Sequence, residues 1–250
     1  MIPKKIHYCW FGRNPLPESA QKCIASWRKF FPGYEIIEWN EDNFDVNTIP
    51  YTAEAYSVKK YAFVSDYARF KILYENGGLY FDTDVEVIHS MDDIIEKGAF
   101  MGFEIDPGKE RKSGAVAPGL GIAATPGMAI YKNILDYYDT ISFIHPDGSL
   151  NTTDAVVNIT TRELIKAGLS DRKGIQDVAE IYIYPADYFN PLDDATGRLR
   201  KTANTRSIHW YTKTWLNESP MRRWCSRFIH RIFGTGVTTS IRKVLSRTIH

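Results

Sequence analysis

The chain has 250 residues, of which 44% are hydrophobic and 24% charged, with a formal net charge of +1. These are ordinary globular proportions, so extended disorder and fibrous classes are excluded, and the length suffices for one large domain with a sizeable core. The near-neutral total hides a split: seven of the 31 basic residues and none of the 30 acidic ones lie beyond Glu218, so residues 1–218 carry a net charge of −6. No apolar run reaches the ~18–20 residues that span a bilayer. Lys4 and Lys5 lead into Gly12 and Arg13 without the apolar segment of a secretory signal. Cys9, Cys23 and Cys225 show neither zinc nor disulfide spacing. They read as reduced thiols of a cytosolic protein, with Cys9 and Cys23 buried.

In chain order, residues 6–10 form a short β-rich run that Phe11-Gly12 and Pro15 end. Ile24, Trp27 and Phe31 give 18–31 a helical period, stopped by Pro32-Gly33, and 34–39 read as a second strand. Strand, helix, strand in ~40 residues begins a βαβ unit and favours a parallel sheet. Residues 52–60 look helical, and Phe63, Tyr67, Phe70, Leu73 and Tyr74 make 62–75 an apolar helix closed by Gly77-Gly78. Residues 79–81 read as a buried strand that 85–88 resume after Asp82-Thr83-Asp84. Beyond it come a strand at 100–103 and a surface loop over 105–118 with two prolines and two glycines. A return to the sheet at 119–124, helices at 128–138 and 155–167, and strands at 181–184 and within 203–215 follow. Pro220 separates a tail.

Chemistry concentrates at Asp82-Thr83-Asp84. In an extended chain residues i and i+2 project to one face, so the two carboxylates would stand together and require neutralisation. Hard carboxylate oxygens suit Mg²⁺ or Mn²⁺, which in turn bridge diphosphate oxygens. Strand ends of open α/β sheets are also where ligands bind. A short acidic turn is the plain alternative. Asp66 and Arg69 share a face of the preceding helix. A solvated salt bridge is their ordinary fate, but this helix is otherwise apolar and leads straight into the acidic strand. There an acid could grip a sugar hydroxyl and a base a phosphate.

Ile6-His7-Tyr8-Cys9-Trp10-Phe11-Gly12, Ala62-Phe63-Val64-Ser65-Asp66-Tyr67-Ala68-Arg69 and Asn76-Gly77-Gly78-Leu79-Tyr80-Phe81-Asp82-Thr83-Asp84-Val85 resemble glycosyltransferase family 32, the glycosyltransferase sugar-binding region with a DXD motif. That family includes bacterial capsule and O-antigen transferases and the initiating α-1,6-mannosyltransferase of yeast. More distantly, the chain is similar to the glucosyltransferase domains of large clostridial toxins. The resemblance runs from residue 2 to about 104 and resumes around 203–215. It implies an α/β, Rossmann-like GT-A fold, expected here over 1–219, and retaining transfer of a hexose from a nucleotide sugar. The donor is expected to be UDP-linked, such as UDP-galactose or UDP-glucose, with Mn²⁺ or Mg²⁺ as cofactor, and the pathway surface polysaccharide synthesis.

By the same resemblance Trp10 stacks on the nucleobase, and Asp66 and Arg69 hold donor sugar hydroxyls and diphosphate. Tyr80 lies near the ribose or sugar, Asp82 contacts ribose, sugar or metal, and Asp84 ligates the metal directly. His209, ahead of Trp215, looks like the family's late histidine, a third protein ligand. Trp210 stands where relatives carry a second His. Each has a plainer alternative: a core Trp, a packing Tyr, a structural His. Glu104 and Asp154 are carboxylates for the region near the sugar, neither assigned as nucleophile, so front-face attack and double displacement both stay open.

In the tail, 220–250, Trp224, Phe228, Ile229, Ile232 and Phe233 fall at helical spacing opposite Arg223, Arg227 and Arg231. A basic amphipathic helix suits an anionic inner leaflet; a packing helix with a solvated basic face is the alternative. The first reading puts the protein in the cytoplasm, peripheral on the inner face of the cell membrane, near a saccharide acceptor carried on undecaprenyl diphosphate. Nucleic acid is not an expected partner, because an acidic body repels phosphate. Two rival functions stay open. One is a haloacid-dehalogenase-like phosphatase with Asp82 as nucleophile, and the other a sugar-nucleotide-binding protein without turnover.

Overall fold

The computed structural model describes residues 1–109 and 111–212. The basic tail, Trp215 and Cys225 lie outside the described residues. The chain opens β1 (Lys5–Cys9), α1 (Glu18–Phe30), β2 (Glu35–Trp39), α2 (Pro50–Ser57), α3 (Tyr61–Asn76), β3 (Gly78–Tyr80) and β4 (Val85–Val87). It continues α4 (Asp92–Ile95), β5 (Ala99–Ile105), β6 (Ala115–Val116), β7 (Ile122–Ala124), α5 (Ala129–Tyr138), α6 (Val156–Lys166), β8 (Gln176–Val178) and β9 (Ile181–Tyr184). It closes with α7 (Ala186–Phe189), β10 (Leu192–Asp193), β11 (Arg198–Leu199) and β12 (Ser207–His209).

The main sheet runs β2-β1-β3-β7-β5-β9-β8, with β6 added on β5. Strands β2, β1 and β3 are parallel, as the βαβ pattern predicts, with His7 beside both Ile37 and Tyr80. The sheet is mixed rather than parallel: β7 runs antiparallel to both β3 and β5, and β8 antiparallel to β9. Short return strands make this possible, because an antiparallel neighbour needs no crossover helix.

Alternation along β3 divides the core. Leu79 and Phe81 join Ile6, Tyr8, Trp27 and Phe100 on one face, while Tyr80 joins Cys9, Phe70, Met101 and Tyr131 on the other. Helices therefore cover both faces, the arrangement that gives strands near-continuous apolar runs. Cys9 and Cys23 are both buried thiols, as expected.

One expectation is corrected. Residues 85–87 do not resume the strand that ends at Tyr80. They leave the sheet and pair antiparallel with β12, His209 opposite Val85. The indole of Trp27, wholly buried, donates to the Val85 carbonyl at 2.8 Å, and Val87 N–H donates to the Ser26 hydroxyl at 2.9 Å. Helix α1 thus holds the departing ribbon, and 82–84 becomes the corner between two sheets. Among the described residues no helix is long and apolar enough to cross a membrane.

Candidate active site

The site is built at the carboxyl ends of β1 and β3. Helix α3 ends at Gly77, whose N–H donates to the Leu73 carbonyl at 2.8 Å, and Gly77 and Gly78 both take positive φ (63° and 98°). A Cβ on Gly78 would stand 2.8 Å from the Lys5 carbonyl oxygen, so only glycine lets the chain pass from helix to strand against β1. His7 clamps the turn. Trp39 Nε1–H donates to His7 Nδ1 at 3.0 Å, which fixes the proton on Nε2, and that nitrogen donates to the Gly77 carbonyl at 3.0 Å. Burial pushes the imidazole down to about 4, so it stays neutral.

This turn brings Asp66, Arg69, Tyr80 and Asp82 together. Arg69 Nη2 donates to Asp66 Oδ1 at 2.8 Å and lies 3.3 Å from Asp82 Oδ1, while Nε donates to the Ser65 carbonyl at 3.1 Å. The Tyr80 hydroxyl donates to Asp82 Oδ1 at 3.1 Å, and the guanidinium sits over the Tyr80 ring at 5.0 Å. The Arg69 side chain is only 4% exposed and that of Asp66 14%, so this is no solvated surface bridge. Burial pushes the Asp66 carboxyl up, against the pull of Arg69. Arg69 is therefore turned inward. Its bonds orient two carboxylates.

Asp84 is held elsewhere. Thr83 and Asp84 occupy a turn, with Val85 N–H donating to the Asp82 carbonyl at 3.0 Å, so the two acids do not project to one face as an extended chain would require. Asp84 Oδ1 faces His209 Nε2 at 3.0 Å, and Oδ2 accepts from the backbone N–H and hydroxyl of Thr212 at 2.8 and 3.2 Å. Burial opposes ionisation of Asp84, but His209 and the Thr212 bonds outweigh it and hold the carboxyl down to about 2. Burial likewise disfavours a charged His209, and Asp84 reverses the balance, raising the imidazole.

Trp10 follows β1, and its parallel register with β3 carries it to the same sheet edge as Asp82. Its backbone N–H donates to the Trp39 carbonyl at 2.8 Å and its indole to the Asn14 carbonyl at 2.7 Å, leaving the ring half-buried. Glu104 lies at the end of β5, where its carboxylate accepts from Tyr211 at 3.0 Å. Asp154 instead accepts from Asn151 at 2.9 Å, ahead of α6.

Among the described residues, no three His, Cys, Asp or Glu side chains gather to hold a metal ion by themselves. The donor chemistry nonetheless fits a divalent cation. Asp84 Oδ1 and His209 Nε2 present a hard oxygen and an imidazole nitrogen side by side, 3.0 Å apart. Such ions commonly take one or two carboxylates from protein and complete their shell with water and substrate phosphate. Asp82, tied to Arg69 and Tyr80, stands as the neighbouring acid.

Sequence reasoning misses two parts of the site. A Cβ on Gly119 would meet Asp82 Oδ2 at 2.1 Å and Arg69 Nη1 at 3.2 Å, so a glycine there is what admits the carboxylate. The Pro118-Gly119 pair signals a turn but not its neighbour. Thr212, which takes one oxygen of Asp84, lies 128 positions away and carries no local signal.

Residues 17–101 match the family described as "Glycosyltransferase sugar-binding region containing DXD motif". The chain is similar to inositol phosphoceramide mannosyltransferase 1 of Schizosaccharomyces pombe, 29% identical over 111 residues that cover 40% of this chain and 33% of that one. It is similar to subversion of eukaryotic traffic protein A of Legionella pneumophila, 24% identical over 61% of this chain and 28% of that one. It thus spans about a third or less of the length of these two curated relatives. Among solved structures, the PaToxG glycosyltransferase superposes with a TM-score of 0.52 at 20% identity, over 66% of this chain and 69% of that one, which establishes the fold. Residues 17–101 therefore resemble a glycosyltransferase sugar-binding region containing a DXD motif, and the chain that carries them has a GT-A fold.

Proposed function

We propose that this chain is a metal-dependent, retaining glycosyltransferase that moves a hexose from a nucleotide sugar to a saccharide acceptor. The observation that carries the proposal is the convergence, at one sheet edge, of the Asp66–Arg69–Asp82 cluster with the Asp84–His209 pair. Asp84 and His209 would hold Mn²⁺ or Mg²⁺. A divalent cation bound there supplies Lewis-acid neutralisation of the charge that develops on a departing diphosphate. Arg69 pairs with Asp66 and Asp82 and orients both carboxylates, whose oxygens can accept hydrogen bonds from ribose or sugar hydroxyls. The half-buried Trp10 ring offers a stacking face for the base. Holding donor and acceptor in one orientation supplies much of the remaining rate.

The donor is proposed to be UDP-linked; the mannosyltransferase name of one relative makes GDP-mannose the competing candidate. The acceptor is proposed to be a lipid-linked glycan. Peripheral contact with an anionic membrane through 221–250 rests on the basic and aromatic composition of that stretch. The phosphatase alternative is disfavoured by the family match and by Asp82, whose oxygens are engaged by Arg69 and Tyr80.

A panel of UDP- and GDP-sugars with Mn²⁺, scored for slow donor hydrolysis, tests the proposal. One donor should be consumed by wild type and spared by Asp84→Asn. Hydrolysis of p-nitrophenyl phosphate, with every sugar nucleotide untouched, would establish the phosphatase instead.

A further inference from the structure

We propose that Tyr211 is a positioning residue for His209, anchored at its far end by Glu104 and Asn190. The inference rests on the reading of Asp84 and His209 as cation ligands. Three independent features support it.

The first is contact. The Tyr211 and His209 rings lie with centroids 4.1 Å apart at 54°, in direct contact, while Nε2 of the same imidazole faces Asp84 Oδ1. The second is anchorage. The Tyr211 hydroxyl is shared between Glu104 Oε1 and Asn190 Oδ1, 3.0 Å from each, and Asn190 Nδ2 donates to the Glu104 carbonyl at 3.2 Å. Glu104 is the penultimate residue of β5 and Asn190 follows α7, so the strut joins the His209 segment to the main sheet. The third is backbone. Tyr211 takes a φ of 50°, which residues other than glycine adopt seldom and which persists only where surrounding contacts hold it. That turn lets Tyr211 fold back on the residue two before it while Thr212 reaches Asp84.

With Nε2 beside Asp84 as the ligating nitrogen, the imidazole lacks the usual bond on its other side: among the described residues, His209 Nδ1 has no hydrogen-bond partner. A ligating histidine is ordinarily oriented by such a bond on its other nitrogen. Here the ring contact with Tyr211 takes over the orienting task, and the Glu104–Asn190 anchor makes it rigid. Glu104, a carboxylate available near the sugar on sequence grounds, thereby acquires a role through Tyr211 rather than as a nucleophile.

The test is Mn²⁺ affinity in the presence of UDP, read from loss of the free-ion electron paramagnetic resonance signal. Wild type, Tyr211→Phe, Tyr211→Leu and Asp84→Asn are compared, with circular dichroism melts of the metal-free proteins verifying that each is folded. Tyr211→Phe keeps the ring and loses the anchor, and its Mn²⁺ affinity should fall about tenfold, the usual cost of removing an orienting partner. Tyr211→Leu also loses the ring and should bind more weakly still. If wild type binds Mn²⁺ and both Tyr211 variants bind it equally well, the positioning role is overturned while the cation reading stands. If wild type does not bind Mn²⁺, or Asp84→Asn matches it, the cation reading falls and this proposal with it.

Discussion

Arg69 and Asp82 come from different elements thirteen residues apart, yet their side chains lie 3.3 Å from each other beside Asp66. One guanidinium thus pairs with two carboxylates at the start of the DXD corner, in a place where it is almost fully shielded from water. Removing it would leave Asp66, its side chain 14% exposed, and the partly exposed Asp82 without a counter-charge. Arg69→Met should cost about 3–5 kcal/mol, the range for breaking a buried ion pair from one side. Urea unfolding measures it, and Asp66→Asn in the same chain should recover part of the loss. A loss below 1 kcal/mol would mean that the cluster is solvated.

Gly119 makes the second prediction. Its missing side chain is the space that Asp82 Oδ2 occupies, at 2.1 Å from where a Cβ would sit. Gly119→Ala should therefore push the carboxylate off Arg69, destabilise the fold by about 1–3 kcal/mol as overpacking does, and abolish donor turnover. Gly108→Ala, where the nearest atom is 3.9 Å away, should do neither. Equal melting temperatures for the two variants would contradict the account.

His7 makes a prediction about pH. Its imidazole is pushed down from 6.5 to about 4 by burial, opposed by the bond to Gly77. A depressed histidine contributes stability that is present above its unfolded value and lost as pH falls from 6.5 towards 4. The size is about 3 kcal/mol, from the shift at 1.36 kcal/mol per unit. Asp66, raised by burial, works in the opposite sense across an overlapping range. The difference between wild type and His7→Gln isolates the imidazole, since Asp66 is common to both. That difference should be flat above pH 6.5 and shrink below it. A difference independent of pH would show that His7 is not held neutral.

How much of this was legible in the sequence depends on range. Helix α3, its Gly77-Gly78 stop and the Asp66–Arg69 spacing are local, and periodicity and backbone sterics reveal them. The βαβ start is equally local. The route after Asp84 is not. Whether Val85 stays in the sheet or leaves it depends on Trp27 and Ser26 in α1 and on β12 more than a hundred residues later. An i, i+2 rule presumes an extended strand, so it fails at this corner and wrongly puts the two acids on one face. The antiparallel β7 is three residues long, too short for a pattern to reveal its direction. His209 could be singled out by type, but its partners Asp84, Tyr211 and Thr212 meet it only in the folded chain.

The claim that most of the rest depends on is that Asp84 and His209 hold a divalent cation. Calorimetric titration of UDP into the protein, with and without Mn²⁺, tests it directly. Mn²⁺ should tighten UDP binding to wild type and leave binding to Asp84→Asn unchanged. Binding that ignores Mn²⁺ in wild type, or an Asp84→Asn variant that responds to it as wild type does, would contradict it.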